Sequence, residues 1–314
     1  METNLNGYAV WMGVSWIICC FLFWLSLRKG VGMRNGRAAA VAAGTAVLGV
    51  ILGLFGAKLL LFLFRIDYYL KQGVAAFWTN PDPEEMSYYG GMAGVCLAVA
   101  LTALALKEKP VKILNRFAPA GALMAALARF GEYFLGLLGT RYIGEQRVIF
   151  PFAVSVEWDP EYTEYFLAVF FLEGVFSLAA AAFALKHRNK PHCFLRTVFY
   201  LCLPQILCES LRDSGIRWLF VHLEQLTCYL VVEGILIGYG VAASRKGRKN
   251  WMPALLGLVV CGLTIAEEFM LEGKIFPGMD IPAWLIYGLM AAGLIALAWA
   301  EHRGYRVWTS EEKQ

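Results

Sequence analysis

Apolar residues in this chain come in runs of about 20, separated by short stretches that carry most of the charge. A helix rises 1.5 Å per residue, so a run of about 20 residues crosses roughly 30 Å of hydrocarbon. On that pattern the sequence predicts nine membrane-spanning helices, at about 8–27, 38–64, 89–106, 117–139, 164–185, 194–212, 224–243, 252–271 and 282–300. The first run has no basic segment before it and no small-residue cleavage site, which marks it as a retained helix rather than a leader. Neither an internal repeat nor a low-complexity linker interrupts the series.

Composition points the same way. Of 314 residues, 59% are hydrophobic and 17% charged, far from the balance of a soluble domain. The net charge of +4 matters less than its placement. Arg28, Lys29, Arg34 and Arg37 follow the first span, Lys107, Lys109, Lys112 and Arg116 the third, and Lys186, Arg188 and Lys190 the fifth. Arg245, Lys246, Arg248 and Lys249 follow the seventh, and Arg303, Arg306 and Lys313 the ninth. The alternate loops, such as "TNPDPEEMS" and "VSVEWDPEYTEY", are acidic. By the positive-inside rule the N-terminus of this multi-pass chain is outside and the C-terminus is cytoplasmic. Tyr68, Tyr69, Phe77, Trp78, Tyr142, Trp158 and Tyr162 gather near the opposite, outer ends, as in a belt at the headgroups.

Two partner classes drop out. Basic residues are not interleaved with aromatics on a polar surface, so nucleic acid is not expected. The eight cysteines (Cys19, Cys20, Cys96, Cys193, Cys202, Cys208, Cys228 and Cys261) lie in or beside apolar runs with no CxxC pair. They read as small hydrophobes, and neither a disulfide frame, a metal nor a cofactor is expected.

Ionisable residues inside the apolar runs are the informative exceptions, because each costs a few kcal/mol on insertion scales, about 3, unless it meets a partner, water or a ligand. Lys58 lies in "LFGAKLLLF", Arg129 and Glu132 in "ARFGEYF", and Glu173 in "FLEGVF". Glu209 and Arg212 lie in "CESLRDSG", Glu233 in "VVEGIL", and Glu267 and Glu268 in "TIAEEFM". Arg129 with Glu132, and Glu209 with Arg212, are spaced i,i+3 and share a helix face, where each pair can neutralise itself. The alternative is a cavity in which an arginine fork grips a phosphate, which in a membrane means a phospholipid headgroup. "SYYGGMAGV" at 87–95 lets backbone come close to a ligand or to a neighbouring helix.

In order and spacing, five of these segments resemble the prolipoprotein diacylglyceryl transferase family over roughly residues 5–243. "GAKLLLFLFRIDYYL" is similar to its Gly-Ala-Arg-Leu segment, and "MSYYGGMAGV" to its Tyr-Gly-Gly entry to a helix. "ALARFGEYFLG" is similar to its Gly-Arg-x-Gly-Asn-Phe signature, "FLEGVF" to its Leu-Glu-Gly, and "ILCESLRDS" to its Arg-Phe-x-x-Glu-Phe-x-Arg. The resemblance implies an all-α polytopic membrane bundle, with a seven-span core over 1–244 and an additional hairpin and tail over 245–314. It implies transfer of diacylglycerol from phosphatidylglycerol, or another phospholipid, to the lipobox cysteine of a prolipoprotein signal peptide, releasing glycerol phosphate. Arg129 and Tyr89 would be catalytic, with Lys58, Gly90, Gly91, Glu132, Gln205, Glu209 and Arg212 lining the substrate site. The thiol nucleophile belongs to the substrate, so no catalytic cysteine is implied.

Several positions depart from the family pattern. Tyr89 stands where many members have histidine, Glu132 replaces the signature asparagine, and Lys58 replaces an arginine. Gln205 and Leu201 fall at an arginine and a tyrosine. A pocket for an anionic headgroup has thus lost positive charge at Gln205 and gained negative charge at Glu132, which weakens phosphate binding unless Glu132 is neutral or paired with Arg129. A second function is therefore carried alongside: a non-catalytic paralogue that binds phospholipid or a partner membrane protein. A transporter using carboxylates such as Glu173 and Glu267 predicts inverted repeats and broken helices, neither of which the sequence has.

Overall fold

A computed structural model describes residues 4–79, 85–137, 139–145, 151–159, 162–212, 217–218, 221–275 and 281–310. The apolar runs fold as helices α1 (Leu5–Val31), α2 (Asn35–Phe64), α5 (Tyr88–Ala105), α6 (Pro110–Gly131) and α7 (Val169–His187). Then come α8 (Cys193–Ser210), α9 (Leu223–Arg245), α10 (Met252–Leu271) and α11 (Ala283–Thr309), while short α3 (Ile66–Gln72) and α4 (Val74–Thr79) follow α2. Among the described residues, eight of these helices are long and apolar enough to cross a membrane, which makes the chain an all-α polytopic membrane bundle.

Three predicted spans need correction. The sixth, 194–212, is α8, which ends at Ser210 and is not among the eight, because Arg196, Pro204, Gln205 and Glu209 dilute its apolar character. The fourth, 117–139, begins earlier, at Pro110 in a first-turn position that needs no N–H donor, and its α-helix stops at Gly131. The chain tightens there into a 3₁₀ turn, Glu132–Leu135, and leaves it at Gly136 with φ 72°. The fifth, 164–185, starts as a strand and becomes helical only at Val169.

That strand is β3 (Tyr162–Ala168), the centre of a three-stranded antiparallel sheet with β1 (Thr140–Gly144) and β2 (Ala153–Asp159). Thr140 pairs with Ala168 and Val154 with Phe166. An open sheet has edge groups that hydrocarbon cannot satisfy, which puts this sheet at the membrane surface. A second ribbon joins β4 (Arg217–Trp218) to β5 (Val221–His222).

The chain forms two compact units, Met1–Leu201 with Leu211–Ser214, and Cys202–Ser210 with Gly215–Gln314. In the first, Phe23 and Leu27 of α1, Val41 of α2, Val99 of α5 and Ile113 and Phe117 of α6 share one buried core. Contact between α2 and α5 is close enough that a Cβ on Gly94 would strike the Leu52 carbonyl, and one on Gly90 would strike the Gly56 carbonyl. Small residues at such a crossing let dispersion and backbone contacts hold helices together where lipid removes the hydrophobic drive. In the second unit α9 packs on both α10 and α11, so the last hairpin shares its core with α9. There Tyr239 of α9 donates to the fully buried Glu301 of α11 at 3.1 Å.

Candidate functional site

Arg129 occupies the last turn of α6, where its side chain is only 2% exposed. Its Nη1 donates to Glu132 Oε1 at 2.5 Å, and its Nε lies 3.3 Å from Glu173 Oε2 of α7. Arg212, just past the end of α8, reaches the same two carboxylates. Its Nη2 donates to Glu132 Oε2 at 2.9 Å and its Nε to Glu173 Oε1 at 3.0 Å, with Nη2 also against Glu173 Oε2. Four side chains thus close a ring of alternating charge, Arg129–Glu132–Arg212–Glu173, all within the first unit. Two arginines balance two carboxylates, which is how four charges can be buried together.

Local sequence explains the ring. The i,i+3 spacing puts Glu132 over Arg129, and the 3₁₀ turn keeps it there. Gly131 leaves room for Trp11 and Tyr8 of α1, and the Trp11 indole donates to the Leu127 carbonyl at 2.7 Å. Gly174, next to Glu173, lets the Phe130 ring lie on α7, where any Cβ would collide with it. Gly139, at φ 74°, brings its backbone against Glu132 Oε2 and the Arg212 guanidinium, a place without space for a side chain. The Tyr88 ring covers Arg129, 3.8 Å from the guanidinium carbon to the ring centroid.

Of the residues expected from sequence, Arg129, Glu132 and Arg212 come together. Tyr89 stands one ring away, edge-on to Tyr88 at 5.1 Å. Lys58 is buried with other partners: its Nζ donates to the Phe77 carbonyl at 3.1 Å, lies 4.6 Å from the Phe77 ring centroid and is 3.5 Å from Glu85. Tyr69 packs tilted against the same Phe77 ring, centroids 4.0 Å apart, and burial raises its phenol above the usual range. Gly90 faces the α2 backbone, and Gly91 lies within ordinary contact of Gly53 and Ala57. Gln205 and Glu209 belong to the second unit, where Gln205 donates to Glu209 at 3.2 Å and His222 Nδ1 lies 3.7 Å from Glu209. In that unit Glu268 accepts from Ser210 and from Gln225 Nε2, the latter at 2.8 Å.

Three parts of this site are not legible in the sequence. Glu173 was legible as an intramembrane acid but not as the partner of both arginines, because spacing along α6 says nothing about α7. Tyr88, rather than its neighbour Tyr89, is the ring on Arg129. Gly139 carried no signal except its place in "LGLLG".

These features define a polytopic membrane protein with buried, carboxylate-bridged arginines at the end of two helices. A model of the prolipoprotein diacylglyceryl transferase family matches residues 2–242, and the chain belongs to that family. It is similar to proteins named phosphatidylglycerol–prolipoprotein diacylglyceryl transferase from Burkholderia thailandensis, Burkholderia mallei and Burkholderia pseudomallei. Each is 25% identical over 265 residues, covering 82% of this chain and 77% of the relative. No solved structure matches the chain. The matched segment ends before α10, so α10 and α11 lie outside it.

Proposed function

We propose that this chain is a diacylglyceryl transferase that moves diacylglycerol from phosphatidylglycerol, or a related phospholipid, to the lipobox cysteine thiol of a prolipoprotein signal peptide. The observation that carries this is the convergence of Arg129 and Arg212 on shared carboxylates inside a chain of this family. Two guanidinium forks aimed at the same carboxylates have the geometry to grip a phosphate through charged hydrogen bonds.

In the reaction the thiol sulfur attacks the glyceryl carbon attached to the phosphate oxygen. The carbon–oxygen bond breaks with its electron pair on that oxygen, the thiol proton is released, and glycerol phosphate leaves. Arg129 and Arg212 stabilise the growing phosphate charge, and a low-dielectric surround strengthens that effect. Tyr88 holds the Arg129 guanidinium in plane, and Tyr89 borders the site. The transferase-like core is 1–244, with the last hairpin as an addition.

The same reading places the protein in a bacterial plasma membrane with the N-terminus outside. Supporting this, three basic connections meet at one end of the first unit. Arg37 pairs with Glu108 at 3.0 Å and donates to the Leu106 carbonyl at 2.8 Å, and Arg116 donates to Asn189 at 3.0 Å. Reporter fusions after Lys109 and after Lys190 should both report the cytoplasmic side.

A second reading, a non-catalytic phospholipid-binding paralogue, is favoured by the carboxylates that already occupy both arginines. Transfer of labelled diacylglycerol from phosphatidylglycerol to a lipobox peptide, with Arg129→Ala alongside, separates the two. Transfer that Arg129→Ala abolishes supports the enzyme. Saturable, Arg129-dependent lipid binding without transfer supports the paralogue.

A further inference from the structure

A carboxylate and a phosphodiester each carry one negative charge over two outward-facing oxygens. Glu132 uses its two oxygens separately, Oε1 on Arg129 and Oε2 on Arg212, and so spans both guanidiniums as the free oxygens of a phosphodiester would. We propose that Glu132 is a built-in competitor for the lipid phosphate: headgroup binding displaces its carboxylate from between Arg129 and Arg212, while Glu173 stays and keeps the two arginines in register. The proposal rests on the assignment of the phosphate to these arginines made above.

The two carboxylates differ in how firmly they are placed. Glu173 lies within α7 and its side chain is 1% exposed. It meets Arg212 through both oxygens and Arg129 through one, and Phe130 packed on Gly174 fixes the backbone beside it. Glu132 gives one oxygen to each arginine and its side chain is 9% exposed. It begins a four-residue 3₁₀ turn that ends at a left-handed glycine, Gly136. Short 3₁₀ segments have poorer hydrogen-bond geometry than α-helix and are natural places for a chain to give way.

Exchange of one monoanion for another leaves the charge around Arg129 and Arg212 unchanged, so displacement does not leave a buried guanidinium without a counter-ion. The consequence is a site that accepts a ligand only when the ligand offers a phosphate in return. A phosphate-free lipid has nothing with which to displace Glu132.

The test uses the full chain in detergent micelles, as wild type, Glu132→Gln, Glu132→Asp and Arg129→Ala. Phosphatidylglycerol and, as a phosphate-free control, dioleoylglycerol are titrated while binding and thermal unfolding are followed. Glu132→Gln is expected to bind phosphatidylglycerol about tenfold more tightly, a shift of roughly 1.4 kcal/mol, with no gain for dioleoylglycerol. Its unfolding midpoint without lipid falls, and the rise caused by phosphatidylglycerol grows. Glu132→Asp, whose shorter arm cannot span both arginines, gives an intermediate affinity and carries the test if the glutamine variant does not fold. Unchanged or weaker binding by the Glu132 variants, with Arg129→Ala still abolishing it, overturns the proposal.

Transfer measured in parallel separates this from the enzyme reading. If wild type transfers and Arg129→Ala does not, yet Glu132 variants bind as wild type, the transferase stands and the competitor falls. If nothing transfers but Glu132→Gln binds more tightly and Arg129→Ala loses binding, the competitor stands and the transferase falls.

Discussion

The guanidinium carbon of Arg129 lies 3.8 Å from the centroid of the Tyr88 ring, and the Tyr88 hydroxyl is tied to the Ala125 carbonyl at 3.0 Å one turn back on the helix that carries Arg129. The ring is thereby fixed at its far end to the same helix whose arginine it covers, so Tyr88 of α5 clasps the end of α6 at two points. Tyr88→Phe keeps the ring and loses the hydroxyl bond, and is expected to cost about 1 kcal/mol of stability with transfer nearly intact. Tyr88→Leu also removes a cation–π contact worth roughly 0.5–2 kcal/mol. Loss of the surface that orients Arg129 should lower transfer about tenfold or more, as small misplacements do. Unfolding midpoints and initial transfer rates of the pair decide it, and equal transfer by both variants would show that the ring does not orient Arg129.

Glu173→Gln is expected to be far more damaging than Glu132→Gln to the fold. It takes away a carboxylate that both arginines share and that meets Arg212 through both oxygens. Breaking a buried charged pair costs about 3–5 kcal/mol. Detergent-denaturation midpoints of the two variants check the order, and a smaller loss for Glu173→Gln would mean that Arg212 finds its main partner elsewhere.

Gly94→Ala and Gly91→Ala separate helix packing from ligand approach in the Tyr-Gly-Gly segment. A Cβ on Gly94 runs into the Leu52 carbonyl of α2, so the helices must part, at a cost on the order of 1–3 kcal/mol. One on Gly91 lies 3.6 Å from the Gly53 carbonyl oxygen and 3.7 Å from the Ala57 Cβ, ordinary contact distances. Size-exclusion profiles should show aggregation for Gly94→Ala and a normal peak for Gly91→Ala. Transfer lost in a normally folded Gly91→Ala then reports the ligand.

Glu268→Ala should loosen the second unit. It removes the carboxylate that accepts from Ser210 and Gln225, which keep their bonds to the Ile206 carbonyl and to each other, at a cost of about 1–3 kcal/mol per hydrogen bond lost to a charged group. Cys208 and Cys228 are 1% and 0% exposed in this unit, so a thiol-reactive dye reads its opening directly. Faster labelling is expected for Glu268→Ala and much less for Glu268→Gln, which keeps a hydrogen-bonding oxygen. The same logic predicts that removing α10 and α11, although they lie outside the family match, exposes Gln225 and abolishes a stable second unit.

Spans were legible because a run of apolar residues near 20 long has few other uses, and Lys and Arg mark one side of the membrane. Arg129 and Glu132 were legible as a pair because i,i+3 spacing fixes a shared face. What spacing cannot reveal is which helix lies opposite. Glu173 and Arg212 reach that pair from elements 39 residues apart in sequence, and no pattern along one helix encodes that meeting. The sheet was hidden for a related reason: β3 reads "YTEYFLA", apolar enough at its end to continue smoothly into α7. The end of α6 was misplaced because "EYFLG" stays apolar past the point where Gly136 turns the chain.

The passage from β3 into α7 has no linker: Ala168 closes the strand and Val169 opens the helix. Ala168 is paired across the sheet with Thr140, and Phe170 donates to the Gly139 carbonyl at 3.1 Å, one residue before that pair. Strand pairing therefore meters α7 as a vernier does. A residue inserted into β3 just before Ala168 slips the pairing by one, and one inserted between Val169 and Leu172 turns Glu173 about 100° away from Arg129. A small sheet outside the helices thus sets, to within one residue, the rotational phase of a charge buried among them.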